Sequence, residues 1–465
     1  MAEQNSRSGP AEPTLSPIAE RMLKAPPFPL LVRMASPNAV AFLVQASVSM
    51  AEVAFISELG TVPLAAVALM FPGLMLMQTL ANGAVGGAVS SAIARSLGGG
   101  NREKAESLIW HALAIAVFAG VFFYAAWLLA GQPILRMLGA DGAVRVAASS
   151  YATILFAGAV LVWIMALMNS VFRGMGNMKL PATLMIAGAC VQIPLSGTLI
   201  LGWFGAPSLG LDGAAVAVLL IAGANASYLL YRLQRGDTPI RLHVASCRLS
   251  RALFADILRV GALASLSPVF TVLTISMING LISGFGVAAL AGYGIVARLE
   301  FLIIPMVFGL GAAMTALVGT NMGAGQVERA EHIGWLGGLS AAVVSGLLGV
   351  VLALFPGLWL GLFTDDPAIW AAGEAYLRIV GPVFAFQGLG LSLYFASQGA
   401  GTVFWPVVAT ALRFVLGVGG AVLAVSVFDL GLHSVYACLA VGMFVYGGLT
   451  AAALKLGAWH QHGGW

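Results

Sequence analysis

The chain has 465 residues, of which 60% are hydrophobic and only 9% charged, with a mean hydropathy of +0.96 and a formal charge of +4. A soluble domain carries about 25% charged residues, so this composition excludes a water-soluble globular protein and predicts an all-α polytopic membrane protein. Three scattered cysteines, Cys190, Cys247 and Cys438, supply neither a disulfide framework nor zinc spacing. No metal, cofactor or nucleic-acid partner is expected.

Residues 1–35 are polar and proline-rich, with no charged start, apolar run and small-residue cleavage site in succession. They are expected to be a loose cytoplasmic tail without a cleaved signal. A spanning helix needs roughly 20 apolar residues. Segments near 36–57, 63–95, 107–130, 144–172, 180–203 and 211–233 qualify, then 253–284, 288–320, 332–360, 368–397, 404–427 and 433–456. Twelve transmembrane helices follow, six in each half. Pro72, Pro268, Pro305 and Pro382 lie within segments and are expected to bend them, because each removes a backbone hydrogen bond.

Between the halves, residues 231–251 carry Arg232, Arg235, Arg241, Arg248 and Arg251 against one acid, Asp237. The second half repeats the first at an offset of 225. LGGGNREKAESLIW at Leu97 matches MGAGQVERAEHIGW at Met322, and Asp141, Tyr151, Arg173 and Pro181 match Asp366, Tyr376, Gln398 and Pro406. An ungapped match over about 85 residues, loops included, marks an internal duplication. The chain therefore divides into the tail, an N-terminal lobe at 36–233, a basic cytoplasmic linker at 234–252, a C-terminal lobe at 253–457 and a tail at 458–465.

Lys and Arg accumulate on the cytoplasmic side of a membrane protein. Arg21, Lys24 and Arg33, then Arg95, Arg102 and Lys104, then Arg173 and Lys179, the linker, Arg329 and Lys455 all fall on one side. Glu58, Asp212, Asp365, Asp366 and Asp429 fall on the other, and only Arg136 with Arg145 dissent. Both termini are expected in the cytoplasm, with the chain in the bacterial plasma (inner) membrane as a monomer in the lipid bilayer. Six-helix repeats keep the same orientation and leave a cleft between them, as parallel repeats in transporters do.

Ionisable groups inside a membrane are costly and mark function or a partner. Asn38, Gln45, Ser49 and Glu52 fall on one stripe of the first helix. A carboxylate partly removed from water there could exchange a proton for a cation. Arg298 and Glu300 lie near the middle of the eighth segment. Two residues apart, they do not face each other, so each is expected to find a partner on another helix. With Asn279 they form a candidate ion or substrate site in the second lobe, or a structural ion-pair network. Asn169, Gln192, Asn225 and Gln387 are read as interhelical hydrogen bonds or cavity lining. Phosphate-cradling and HExxH motifs are missing from the sequence, so an ion gradient is the expected energy source and the protein is not expected to be an enzyme.

The ordered motifs resemble the MATE (multidrug and toxic compound extrusion) family, of the bacterial NorM/DinF-like kind, from about Pro37 to Leu454. They are Gln45 with Glu52 and the Leu59-Gly60 turn, ARSLGGGNREKA, RGMGNMKLP, LILGWFGAPSLGLDGAAVA, ALVGTNMGAGQVERA and ASQGAG. The resemblance implies two six-helix lobes around a central cavity, exporting amphipathic, cationic drugs or metabolites against inward H+ or Na+. It implies that Glu52 is the ion-coupling acid, with Gln45 and Ser49 shaping its site. The family's Asn-x3-Asp of the fifth helix aligns with Gln192 and Ser196, so the second acid of that site is missing here. A lipid-linked saccharide flippase of the same superfamily and a non-transporting membrane scaffold are the alternatives.

Overall fold

A computed structural model describes residues 15–460, all helices and connections among the described residues. Helix α1, Pro17–Lys24, is capped by Ser16, whose side chain accepts from the Ala19 amide. The N-terminal lobe follows as α2 (Pro27–Glu58), α3 (Thr61–Gly98), α4 (Arg102–Met137), α5 (Gly142–Ala157), α6 (Ala159–Gly174), α7 (Lys179–Leu201) and α8 (Leu211–Arg235). The C-terminal lobe comprises α9 (Arg251–Ala264), α10 (Leu266–Ser283), α11 (Val287–Gly323), α12 (Val327–Leu354), α13 (Pro367–Val380), α14 (Phe384–Ala400), α15 (Phe404–Ser426) and α16 (Leu432–Lys455). Among the described residues eleven helical stretches, with α9–α10 and α13–α14 each taken as one, are long and apolar enough to cross a membrane, and α5 with α6, bent by 50°, make a twelfth if the pair is one span.

Two expectations change. The tail is not loose throughout: from Pro17 it is helical, and α2 starts at Pro27 rather than near residue 36. Pro27 occupies a first-turn position, where its missing N–H would have had no partner anyway. Residues 1–14 of the tail, and 461–465 at the other end, lie outside the described residues, while Trp459 of the C-terminal tail is buried. The prolines also act unequally. Pro268 follows the α9–α10 break and Pro382 lies in the short 3-10 turn between α13 and α14, but Pro72 and Pro305 sit within continuous helices. The sharp bend in the fourth span is at Gly158, where no proline stands.

Each lobe has its own apolar core, one around Ile109, Trp163 and Phe172 and the other around Leu360, Tyr376 and Tyr436. A third cluster joins Met22, Leu31 and Met178 to Met314, Leu317 and Trp459 on the linker side. The outer surface is apolar, with Phe118, Leu129, Leu347 and Phe444 exposed, as a lipid-facing surface requires.

The lobes close on each other along α3 and α11. A Cβ on Gly98 would come within 2.0 Å of the Thr320 carbonyl oxygen, and one on Gly323 within 2.0 Å of the Arg95 carbonyl oxygen. Within each lobe a second close approach recurs: Gly174 meets the Ser90 carbonyl at 2.6 Å and Gly399 the Thr315 carbonyl at 2.7 Å. In the second pair both residues become their mates on adding 225; in the first, Gly98 becomes Gly323 on adding 225 and Thr320 becomes Arg95 on subtracting it, so the two halves exchange places. The duplication thus writes the same close crossing twice, and small residues permit it, as they do between helices in lipid. The crossing of α3 with α11 holds the two lobes together on the linker side.

Candidate functional site

The fifth-span helix α7 packs along α2 and supplies the immediate partners of Glu52. Glu52 Oε1 accepts a hydrogen bond from Gln192 Nε2 at 2.8 Å and another from Ser196 Oγ at 2.9 Å. Gln192 and Ser196 are four apart, one helical turn, so both face α2. Both are buried and Glu52 is half-buried. Among the described residues no cation pairs with Glu52 and no group occupies Oε2. An acid held by two neutral donors through one oxygen keeps its other oxygen available for a proton or a cation.

Gln45 and Ser49 share the α2 stripe, but neither hydrogen-bonds to Glu52; Gln45 is half-buried and Ser49 exposed. Gln192, read from sequence as an interhelical hydrogen bond or cavity lining, makes an interhelical bond directly to the acid. Ser196, which stands where the family has an aspartate, is the other. Asn169 is buried with its Oδ1 unpartnered, Gln387 is buried with its Oε1 unpartnered, and Asn225 Nδ2 reaches only Met165 Sδ, at 3.9 Å. None of these three joins the Glu52 site.

In the C-terminal lobe Glu300 and Arg298 part company. Glu300 Oε1 accepts from Tyr376 Oη at 3.0 Å. Tyr376 stacks edge-on against Tyr293 and Tyr436 at 5.6 and 5.2 Å, and the buried Tyr436 hydroxyl has no partner. Arg298 is exposed and lies over the Phe363 ring at 5.5 Å. Asn279 is half-buried and makes no hydrogen bond to either among the described residues. Glu300 finds a partner on another helix, whereas Arg298 lies over a ring in the turn before α13, and with Asn279 they do not form one site.

A constellation that sequence reasoning missed crosses the lobes. Arg95 of α3 pairs with Asp256 of α9 at 2.8 Å, and Lys104 of α4 pairs with the other oxygen at 2.9 Å. The Arg95 and Asp256 side chains are 7% and 10% exposed. Arg95 also bonds Ser91, whose hydroxyl reaches the Gln398 and Gly399 carbonyls of α14. In sequence these are a loop arginine and a helix-start acid, ordinary for their places. The signal was Asp256 itself, the one acid on the seventh segment. Among the described residues no three His, Cys, Asp or Glu side chains converge as metal ligands would.

The geometry matches known transporters. A FAD transporter of Shewanella oneidensis is 28% identical over 379 residues, covering 81% of this chain and 82% of that protein. A probable multidrug resistance protein NorM of Thermotoga maritima is 27% identical over 404 residues, 86% of each chain. Among solved structures, MATE in the bent conformation superposes with a TM-score of 0.88 at 27% identity, covering 97% of this chain and all of that one. A MOP superfamily transporter from Pyrococcus furiosus, described by the reverse polarity of its binding pocket, gives 0.86 at 26% identity over 95% and 99% of the chains. The MatE family model matches residues 37–198 and 264–423, one stretch in each lobe and well over half the sequence. This multi-pass membrane chain belongs to the MatE family of transporters.

Proposed function

We propose that the protein exports amphipathic organic cations from the cytoplasm by antiport with H+ or Na+, cycling the cleft between its lobes. Glu52 takes the ion; Gln192 and Ser196 hold its carboxylate, and Gln45 and Ser49 line the approach. Glu300, held by Tyr376, serves the second lobe. The observation that carries this reading is an intramembrane acid whose described partners are all neutral. The charge pattern of the loops supports a bacterial inner-membrane protein with cytoplasmic termini, working as a monomer.

The test is substrate-triggered proton and sodium movement in proteoliposomes, comparing wild type with Glu52→Gln. Organic cations should collapse a preset ion gradient with wild type and not with the variant. Retention of coupling in the variant would remove Glu52 from the mechanism while leaving export intact. The Shewanella relative's name motivates a second reading, export of an anionic dinucleotide. FAD loaded inside the same vesicles decides between them: efflux of FAD without response to cations favours the second.

A further inference from the structure

Between α9, the α14–α15 turn and the end of α16 lies a cavity of about 300 Å3, outside both acid sites. Its walls include Arg259, Ser397, Thr402, Phe404, Trp405 and Trp459. Arg259 is exposed there, and among the described residues no carboxylate pairs with it. Asp256, one turn back, is already taken by Arg95 and Lys104. The Thr402 hydroxyl is buried and has no hydrogen-bond partner, a state that costs free energy until something occupies it. Ser397 offers no such vacancy, because its hydroxyl accepts from Trp459 Nε1 at 3.3 Å. At Phe404 α15 begins, with Trp405 and Pro406 following; Pro406 has no N–H, so two amides, of Phe404 and Trp405, lack an intrahelical acceptor and favour an anion.

An unpaired guanidinium, an unpartnered hydroxyl and free amides call for an anion rich in acceptor oxygens. The volume, at the lower end of small-ligand sites, suits a head group and not an acyl chain. Phe404 and Trp405 are exposed at its rim, and aromatic side chains of this kind mark the membrane boundary. The turn joins the tenth and eleventh spans and so lies on the linker side. Basic pockets between spanning helices at that level suit anionic lipid heads.

We propose that this pocket binds the phosphate of an anionic phospholipid from the linker-side leaflet. Arg259 counters its charge, the Phe404 and Trp405 amides donate to its oxygens, the Thr402 hydroxyl joins them once rotation about its Cα–Cβ bond turns it to the cavity, and the chains lie over Phe404 and Trp405. A soluble phosphate ester carries the same head without the chains, and the experiment separates the two. The full chain in neutral detergent is titrated with phosphatidylglycerol, phosphatidylcholine or glycerol 3-phosphate, and bound species are counted by native mass spectrometry. Wild type should retain phosphatidylglycerol over phosphatidylcholine, and Arg259→Gln should lose about fivefold in phosphatidylglycerol affinity with phosphatidylcholine unchanged. Arg259→Lys should keep most of the affinity, and Thr402→Val should lose part of it. Should Arg259→Gln not fold, the Thr402→Val and Arg259→Lys comparison decides. Phosphatidylglycerol binding unaltered in the folded variants overturns the site. Displacement of phosphatidylglycerol by an equal concentration of glycerol 3-phosphate overturns the lipid as its source.

Discussion

The two lobes share a backbone plan but place their acids differently. Tyr151 and Tyr376 are repeat mates and both are buried, but only Tyr376 bonds a carboxylate, that of Glu300. Glu52 rides on the first span and Glu300 on the eighth. The mate of Glu52 is Met277 and that of Glu300 is Met75. Gln192 and Ser196, which hold Glu52, have Gly417 and Ala421 as mates. Duplication therefore preserved the helix crossings, where glycine is needed twice, and left the charged positions to diverge. The N-terminal acid has two neutral donors, and the C-terminal acid has one phenol backed by two more rings. The first is the better candidate for reversible ion binding.

The strongest way to break this contrast is to neutralise each acid. Glu52→Gln should reduce ion-coupled efflux by about 100-fold or more, whereas Glu300→Gln should lower it only several-fold, in line with losing roughly 1 kcal/mol from one hydrogen bond. Equal losses would make the lobes functionally equivalent. Next in size is the ion pair that crosses the lobes. Asp256→Asn leaves Arg95 buried without its acid, at a cost of about 3–5 kcal/mol. The melting temperature should fall, and in a cysteine-free background a cysteine at Ala94 should become reactive from the linker side. Unchanged reactivity would mean that the glycine crossing alone keeps that side shut.

The crossing itself makes a sharper test, because its two halves are mates. Gly98→Ala and Gly323→Ala each force a methyl against a backbone carbonyl, and overpacking of this kind costs about 1–3 kcal/mol. The two should destabilise the protein to a similar degree in thermal unfolding; a large difference would show that the twofold relation is one of sequence only. The smallest effect is expected from Ser196→Ala, which removes one of two donors to Glu52. Its coupling should weaken by roughly fivefold, about 1 kcal/mol, while the Gln192 bond persists.

Much of this was legible before any coordinates. The offset of 225 delivers the two lobes, apolar run lengths deliver the spans, and the stripe on the first helix singles out Glu52 because charge in lipid is rare. The acid's partners were half visible: Gln192 and Ser196 stood on the fifth segment, but a linear sequence does not say which face of one helix meets which face of another. Arg95 and Asp256 were hidden for the opposite reason. Each sits near a helix end, where a charge needs no explanation, and only the packing of α3 on α9 reveals that they are buried together. The break at Gly158 and the unbroken helices through Pro72 and Pro305 show that a proline in the sequence does not by itself locate a helix break.

The short helix before the first span carries a last consequence. Met22 is buried against both halves at once: its sulfur would lie 2.6 Å from a Cβ on Gly176, accepts from Thr320 Oγ1 at 3.9 Å, and its carbonyl accepts from Asn321 Nδ2 at 3.2 Å. Arg329 ties the end of the same helix down through the Ala25 carbonyl. A wedge that touches both leaves of a door cannot keep both contacts once the leaves swing apart. Any movement that parts Gly176 from Thr320 has to break one of these two sets of contacts, so a fused tag or a truncation at the N-terminal segment is expected to alter how readily that door opens.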